Sequence, residues 1–310
     1  LTAVAVILLG AGVGVLGSTI NAFSTVIASD AAGVTFADGL VLRLIILVLC
    51  WIVTVGFVMR YAVRVRADPT KSLVYDKKAA NEAHFLKETP AEAAEFTGLH
   101  KIVLILFALT FAVMIWGVSI GGWWMAEMSG LFLAAAIIIG LIGRLGEGKL
   151  VESFVNGARD LLGVALIIGL ARGIVVIMDA GHITDTILHA AEVGVAGLPR
   201  TAFILVVYWI EVGLSFFVPS TSGLAVLSMP ILAPVADFAG VKRELVVTAF
   251  ATASGMVNLI TPTSAVVMGG LAIGRVPYER WLRFVWPLLV VLTLIIMAAL
   301  ALAVTFGAPA

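Results

Sequence analysis

Apolar residues form continuous blocks along the chain and do not alternate with polar ones. Each block is close to the roughly 20 residues that an α-helix needs to cross the hydrocarbon core of a membrane. Helices and closed barrels are the structures that can span lipid, and unbroken apolar runs favour helices. The blocks are Leu40–Met59, Ile102–Val118, Met125–Ile142, Leu161–Met178, Thr201–Val218 and Trp281–Phe306. We therefore predict an all-α membrane protein, built as a polytopic helical bundle.

The charges between the blocks predict the side of the membrane on which each loop lies. The segment Arg60–Lys101 is rich in Lys and Arg, which places it in the cytoplasm by the positive-inside rule. Alternation then puts residues 121–124 outside and the loop around Arg144 inside. Residues 179–199 contain no Lys or Arg and are predicted outside, while Arg275 marks a return to the inside.

This order requires residues 201–237 to enter and leave on the same side. The segment consists of two apolar arms around the polar tip Pro219–Gly223, and its second arm, up to Pro230 and Pro234, is short for a full span. We therefore predict a re-entrant helical hairpin. Irregular backbone at that depth is tolerated only where it is buried in protein or lines a watery cavity.

Two further apolar runs are each interrupted by a polar stretch. Residues 1–33 are interrupted at 17–25, and residues 242–274 are interrupted at 258–264, which includes Pro262. Proline flanked by hydroxyl and amide side chains ends one half-helix and caps the next. Both runs are therefore predicted to be broken helices.

The two broken runs resemble each other in layout. A shift of about 240 positions aligns Ile20 with Ile260 and Ser24 with Ser264, and a long apolar span follows each copy. The charges that flank the two copies indicate opposite orientations. This pattern predicts an inverted repeat, which is the plan of many secondary transporters.

The polar stretches Ser18–Thr25, Pro219–Gly223 and Asn258–Ser264 are predicted to lie near mid-membrane. Half-helix N-termini attract anions, while freed carbonyls and hydroxyls can bind a small cation. Ser, Thr and Asn therefore suit Na⁺ or a substrate carboxylate. The alternative is that these hydroxyls only bond within helices or hold helices together.

Two charged residues within apolar blocks are candidate functional groups. An intramembrane charge is costly and is often functional. Arg172 could face a carboxylate substrate or pair with an acid such as Asp160 or Glu211. Glu211, in the first hairpin arm, could carry a coupling proton, pair with Arg172 or reach water.

Composition excludes several functional classes. The formal net charge is zero, which gives no reason to expect a nucleic-acid partner. No zinc-protease helix, phosphate-binding glycine loop or nucleophile elbow is present, so we expect neither an enzyme nor a metal site. The lipid bilayer is the expected surrounding, as a multi-pass protein of a bacterial inner membrane.

Five stretches together carry a family resemblance, and they extend over nearly the whole chain. They are GSTINAF (17–23), VMRYAVRVRADPTKSLV (58–74), GARDLLGVALIIGLARGI (157–174), FVPSTSGLAVLSMPILAPVADFAGV (217–241) and ASGMVNLITPTSAVVMG (253–269). The sequence resembles the YfcC-type branch of the anaerobic dicarboxylate carrier (DcuC-like) family, within the ion transporter superfamily.

This resemblance implies a scaffold domain and a mobile transport domain that works by elevator-like alternating access. It implies substrate- or ion-binding positions at Ser18, Thr19, Asn21, Ser220, Thr221, Ser222, Asn258, Thr261, Thr263 and Ser264. The implied substrates are dicarboxylates, other short carboxylates or basic amino acids. No cofactor is expected beyond Na⁺ or H⁺ as coupling ion, and a homodimer through the scaffold is a further hypothesis. Relatives often have proline where this chain has Ala22, which leaves the first break less defined.

The expected organisation follows the two repeats. Residues 1–66 form the broken helix and closing span of the first repeat, 67–99 a cytoplasmic loop, and 100–310 the second repeat. The second repeat is predicted to comprise scaffold spans at 100–198, the hairpin at 200–238, the broken helix at 242–274 and the closing span at 279–307. Symmetry leads us to expect roughly 140 further residues before Leu1, including the first hairpin, and no transport by Leu1–Ala310 alone.

The leading hypothesis is a secondary active transporter of small carboxylate-bearing solutes, ion-coupled or exchanging. A channel or an intramembrane enzyme is the alternative. A channel should line a continuous pore with polar residues, whereas the polar residues here are confined to short clusters.

Overall fold

The computed structural model describes residues 1–19, 21–85, 97–119, 121, 123, 125–195, 197–218 and 220–306. Over these residues the chain is helical and contains no strand. It divides into two compact units, one of residues 1–78 with 163–310 and one of residues 79–162. The prediction of an all-α polytopic membrane protein is confirmed.

The helices follow the apolar blocks closely. They are α1 (Thr2–Leu16), α2 (Ile27–Ala32), α3 (Leu40–Ala67), α4 (Lys78–Phe85), α5 (Gly98–Ser119), α6 (Met125–Ile142), α7 (Glu147–Ala180), α8 (Ile183–Val195), α9 (Arg200–Phe217), α10 (Thr221–Phe238), α11 (Arg243–Val257), α12 (Ala265–Ile273) and α13 (Tyr278–Phe306). A π-helical turn, Ala22–Val26, precedes α2. By length and composition, α3, α9, α10 and α13 can each cross a membrane.

The core of the first unit is built around α11. Every residue from Leu245 to Val257 is buried, because α9, α10, α13, α1 and α2 all pack against this helix. Its two threonine hydroxyls are satisfied within the helix, at 2.8 Å from Thr248 to the Glu244 carbonyl and 2.7 Å from Thr252 to the Thr248 carbonyl. A helix that is buried on all sides must satisfy its polar groups internally.

The two broken helices run in opposite directions, as the inverted repeat predicts. The side chain of Val4 lies beside Gly274, Leu8 lies beside Gly270, and Leu16 lies beside Gly255. As the residue number increases along α1, the number of the residue that it contacts decreases, so the two segments are antiparallel. At the far end, the Arg243 guanidinium donates to the Ala32 carbonyl at 2.9 Å, so the end of α2 meets the start of α11.

The hairpin is formed by α9 and α10, whose outer ends lie together because the Arg200 side chain approaches Gly240. The expectation that the second arm is too short for a full span is wrong. Like α9, α10 contains 18 residues, and it is long enough to cross a membrane. Pro230 and Pro234 lie inside α10 and do not end it. Each proline removes one backbone donor, which packing on α11 and α2 outweighs. That the hairpin enters and leaves on the same side of the membrane stays a prediction.

The second unit consists of α4, α5, α6 and the first part of α7. Within it, α5 packs against α6 through aromatic contacts. The rings of Phe111 in α5 and Phe132 in α6 are 5.7 Å apart, and within α5 the ring of Phe107 lies 5.0 Å from that of Phe111. Large apolar side chains such as Ile105 and Leu141 are exposed, as expected of helices that lie in lipid.

Arg243 joins three segments at one end of the first unit. Its guanidinium forms a fork with Asp237 at the end of α10, with bonds from 2.6 to 3.1 Å, in addition to the bond with Ala32. Arg243→Lys keeps the charge but loses this planar fork. We expect it to lower the free energy of unfolding by about 1 kcal/mol, since the pair is partly exposed.

Thermal unfolding of the full-length protein in detergent measures this effect. Arg66→Lys is the matched control, because Arg66 is exposed at the end of α3. Equal melting temperatures for the two variants would contradict the role of the fork.

Candidate functional site

The tip of the hairpin lies against the break between α11 and α12. The Thr221 hydroxyl is 3.2 Å from the Ser254 hydroxyl, and the Asn258 amide donates to the same Thr221 oxygen at 3.4 Å. Two of the polar stretches selected from the sequence, the tip and the second break, are therefore in contact. Ser254, one turn before the break, is an additional member that the sequence analysis did not select.

Two half-helices begin in this polar region, and each has a serine cap. The Ser220 hydroxyl accepts from the Gly223 N–H at 3.2 Å at the start of α10. The Ser264 hydroxyl accepts from the Val267 N–H at 3.5 Å at the start of α12. The remaining N–H groups of a first turn, with the helix dipole, favour an anionic group nearby.

Two side chains of α13 donate hydrogen bonds to backbone carbonyls that the second break leaves without helical partners. The Trp281 indole N–H donates to the Leu259 carbonyl at 2.9 Å, and the Tyr278 hydroxyl donates to the Ile260 carbonyl. These carbonyls are consequently already satisfied. The available signal was the pair of aromatic residues with polar tips, three apart, at the start of the closing helix.

The other polar side chains of the second break include both a buried, hydrogen-bonded hydroxyl and half-buried groups. The hydroxyls of Thr261 and Thr263 bond to each other at 2.8 Å, and Thr261 is fully buried. Asn258, Thr263 and Ser264 are half-buried. A solute that reaches this region would therefore meet amide and hydroxyl groups, with no charge from residues 258–264.

The first break is closed by its own hydroxyls. The Thr25 hydroxyl lies 2.8 Å from the Ser18 hydroxyl and donates to the Ser18 carbonyl at 3.0 Å. The interruption is shorter than the 17–25 expected, because a π-helical turn starts at Ala22 and its Val26 N–H bonds to the Asn21 carbonyl at 3.1 Å.

The first break belongs to the same unit as the second break and the tip. Leu16, just before it, lies against Gly255, and the π-helical turn packs on both α10 and α11. Thr19, Asn21 and Ser222 are half-buried. The three polar stretches thus surround one region at the ends of α1 and α11.

The two charged candidates have different positions. Arg172 is in α7, and its side chain lies outside the described residues, so its pairing stays a prediction. Glu211 is in the middle of α9, fully buried, and faces the Ser228 hydroxyl of α10.

The crossing of α1 and α11 at the site depends on Gly255. A Cβ atom added there would lie 2.3 Å from the Cα of Leu16, so the backbones themselves would have to separate. We expect Gly255→Ala to reduce the free energy of unfolding by about 1–3 kcal/mol through overpacking. Thermal unfolding in detergent is the measurement.

Gly56→Ala in α3 is the control, because a Cβ there meets no atom within 4 Å. It should be neutral or stabilising by up to about 1 kcal/mol, as alanine favours a helix interior. Stabilisation by both substitutions would contradict the close crossing.

Substitution of Trp281 tests how much its hydrogen bond to the second break contributes to stability. Trp281→Phe keeps an aromatic ring but leaves the buried Leu259 carbonyl without its donor, so we expect a loss of about 1–3 kcal/mol in stability. Trp51→Phe, at an exposed position of α3, is the control in the same unfolding assay. A loss at Trp51 as large as that at Trp281 would contradict a specific role of the indole bond.

Comparison with known proteins gives two curated relatives. A protein of Haemophilus influenzae named "Uncharacterized protein" is 42% identical over 94% of this chain and 57% of its own length. The Escherichia coli protein named "Putative basic amino acid antiporter YfcC" is 32% identical over 91% of this chain and 58% of its own length. The chain therefore spans less than two thirds of each relative. No solved structure matches it significantly.

The family comparison covers almost the whole chain and agrees with the resemblance that the motifs carry. Residues 1–305 match the family described as the C4-dicarboxylate anaerobic carrier. The match includes both broken helices, the hairpin and the closing helix α13. The chain belongs to the C4-dicarboxylate anaerobic carrier (DcuC) family.

Proposed function

We propose that the full-length protein is a secondary active transporter of small carboxylate-bearing solutes in a bacterial inner membrane. The observation that carries this proposal is the junction of the hairpin tip with the second break, at Thr221, Ser254 and Asn258. Hydroxyl and amide groups there lie beside the capped N-termini of α10 and α12. Interrupted helices that meet in this way form the binding sites of many transporters.

A carboxylate is the substrate group that this chemistry favours. Residues 220–223 and 258–264 contain no charged side chain, so an anion would be held by first-turn N–H groups and hydroxyls. The family description names a dicarboxylate, and the Escherichia coli relative is named for a basic amino acid. Both kinds of solute carry a carboxylate, which we propose as the common recognised group.

Transport of the solute would be driven by the movement of a coupled ion or by exchange for a second solute. The freed carbonyls of the second break are poor candidates for binding a cation, since Trp281 and Tyr278 already donate to two of them. The family is one of carriers, which argues against an enzyme. A scaffold-mediated homodimer remains part of the proposal, in line with an elevator-like movement.

Uptake by the full-length protein in proteoliposomes tests this function. The panel should contain C4-dicarboxylates, short monocarboxylates and basic amino acids, with and without Na⁺. Accumulation of at least one carboxylate-bearing solute is expected, and failure to move any of them would overturn the proposal.

The substitution Thr221→Val tests whether the junction of the hairpin tip with the second break binds the transported solute. It removes the hydroxyl shared by Ser254 and Asn258 while keeping the shape of the side chain. We expect the apparent KM to rise about five- to tenfold, which corresponds to the loss of about one hydrogen bond. Thr305→Val, near the end of α13, is the control and should leave KM unchanged. An unchanged KM in Thr221→Val would place substrate recognition elsewhere.

A further inference from the structure

A carboxylic acid is enclosed in the middle of the hairpin. Glu211 is 0% exposed, and neither of its carboxyl oxygens has a hydrogen-bond partner among the residues that the structure describes. Its helix, α9, packs against α8, α10, α11 and α13. The Ser228 hydroxyl of α10 faces the carboxyl group and likewise has no other partner in that part of the chain.

Three charged groups on the surrounding helices form ion pairs with other residues than Glu211. Asp237 of α10 pairs with Arg243 of α11, Asp185 of α8 pairs with His182, and Arg280 of α13 pairs with Asp76. The other titratable groups of these helices are Arg200 and Tyr208 of α9, His189 and Glu192 of α8, Glu244 of α11 and Tyr278, Glu279 and Arg283 of α13.

The nearest of these groups along α9 does not supply a charge. The Tyr208 hydroxyl lies near Thr293 of α13 and Cys50 of α3. Glu244 interacts with Arg43 of α3. Within the described side chains, Glu211 is thus faced by a hydroxyl and apolar atoms, and by no cation.

An unpaired carboxylate is strongly unfavourable in such surroundings, whereas a neutral carboxylic acid is tolerated. A proton on Glu211 would remove this cost, and the acid would then face the Ser228 hydroxyl.

Polar groups continue from Glu211 toward the tip of the hairpin. Ser215 lies one turn further along α9 and is buried without a partner in the described structure. Ser24 and Ser29, also buried, are on the π-helical turn and on α2, which both pack against α10. Phe217, the last residue of α9 before the tip, is six residues beyond Glu211, or about 9 Å along the helix. A movement of the hairpin that admits water between these helices would expose the acid.

We propose that Glu211 is the site of a coupling proton. The proton is bound while the hairpin is packed as in this structure and passes to water when the hairpin moves, and it is replaced from water on the other side. This inference rests on the proposed transport function and names H⁺ as the coupling ion.

Glu211→Gln tests the site in the full-length protein, because the amide has the same shape and cannot release a proton. Wild-type proteoliposomes should accumulate solute in response to a pH gradient, up to about tenfold per pH unit for one proton per solute. In Glu211→Gln this pH-driven accumulation should disappear, while exchange of labelled for unlabelled solute continues. Glu147→Gln, at an exposed position of α7, is the control and should behave as the wild type.

Infrared spectroscopy supplies a readout that needs no transport. The wild-type protein at neutral pH should show the C=O band of a protonated carboxylic acid, and Glu211→Gln should lack it. Ser228→Ala should shift the frequency of this band, because it removes the hydroxyl that faces the acid.

The outcomes separate the two proposals. Accumulation that stays pH-driven in Glu211→Gln, or absence of the infrared band from the wild type, overturns the role of Glu211 and leaves the transport function standing. A wild-type protein that moves no solute overturns the proposed function and the coupling role together, even if the band is present.

Discussion

The backbone of an interrupted helix must be satisfied by the protein wherever lipid replaces water. The first unit meets this constraint with side chains placed at each interruption. Ser220 and Ser264 cap the half-helices that begin there, and Trp281 bonds to the carbonyl of Leu259. Thr25 does the same for Ser18. The polar stretches therefore serve the fold first, and the groups that remain half-buried are those on which recognition of a solute would depend.

This constraint explains why the closing helix α13 follows the second broken helix so directly. Four residues separate Ile273 from Tyr278, which brings the first turn of α13 back to the break. In the first repeat, α3 occupies the corresponding place after α2, and its buried Arg43 donates to the carbonyl of Phe36. The closing helix α13 thus fixes the interruption within the second broken helix, whereas α3 fixes the linker that directly precedes it.

The antiparallel crossing of α1 and α11 brings the repeats together at their interruptions. Glycine at 255 allows the helix backbones to approach, and Gly17 makes a similar close contact with Leu47 of α3. Small residues at such crossings allow van der Waals packing that replaces the hydrophobic driving force, which is weak between helices in lipid. The hairpin then closes over α11 and encloses Glu211 between its arms. In the proposed mechanism, Glu211 would bind the coupling proton while the uncharged tip of the same hairpin binds the solute.

The helical class, the two interruptions and their opposite directions could be predicted from the sequence, because apolar length, polar interruptions and flanking charge are local properties of the chain. The sequence also selected Thr221 and Asn258, whose contact the structure shows. The parts of Tyr278, Trp281 and Ser254 in the candidate site could not be predicted, since they depend on which carbonyl or hydroxyl the packing brings within bonding distance. The continuation of α10 through Pro230 and Pro234 was decided in the same way. A proline weakens a helix locally, but contacts with helices distant in sequence determine whether that helix ends.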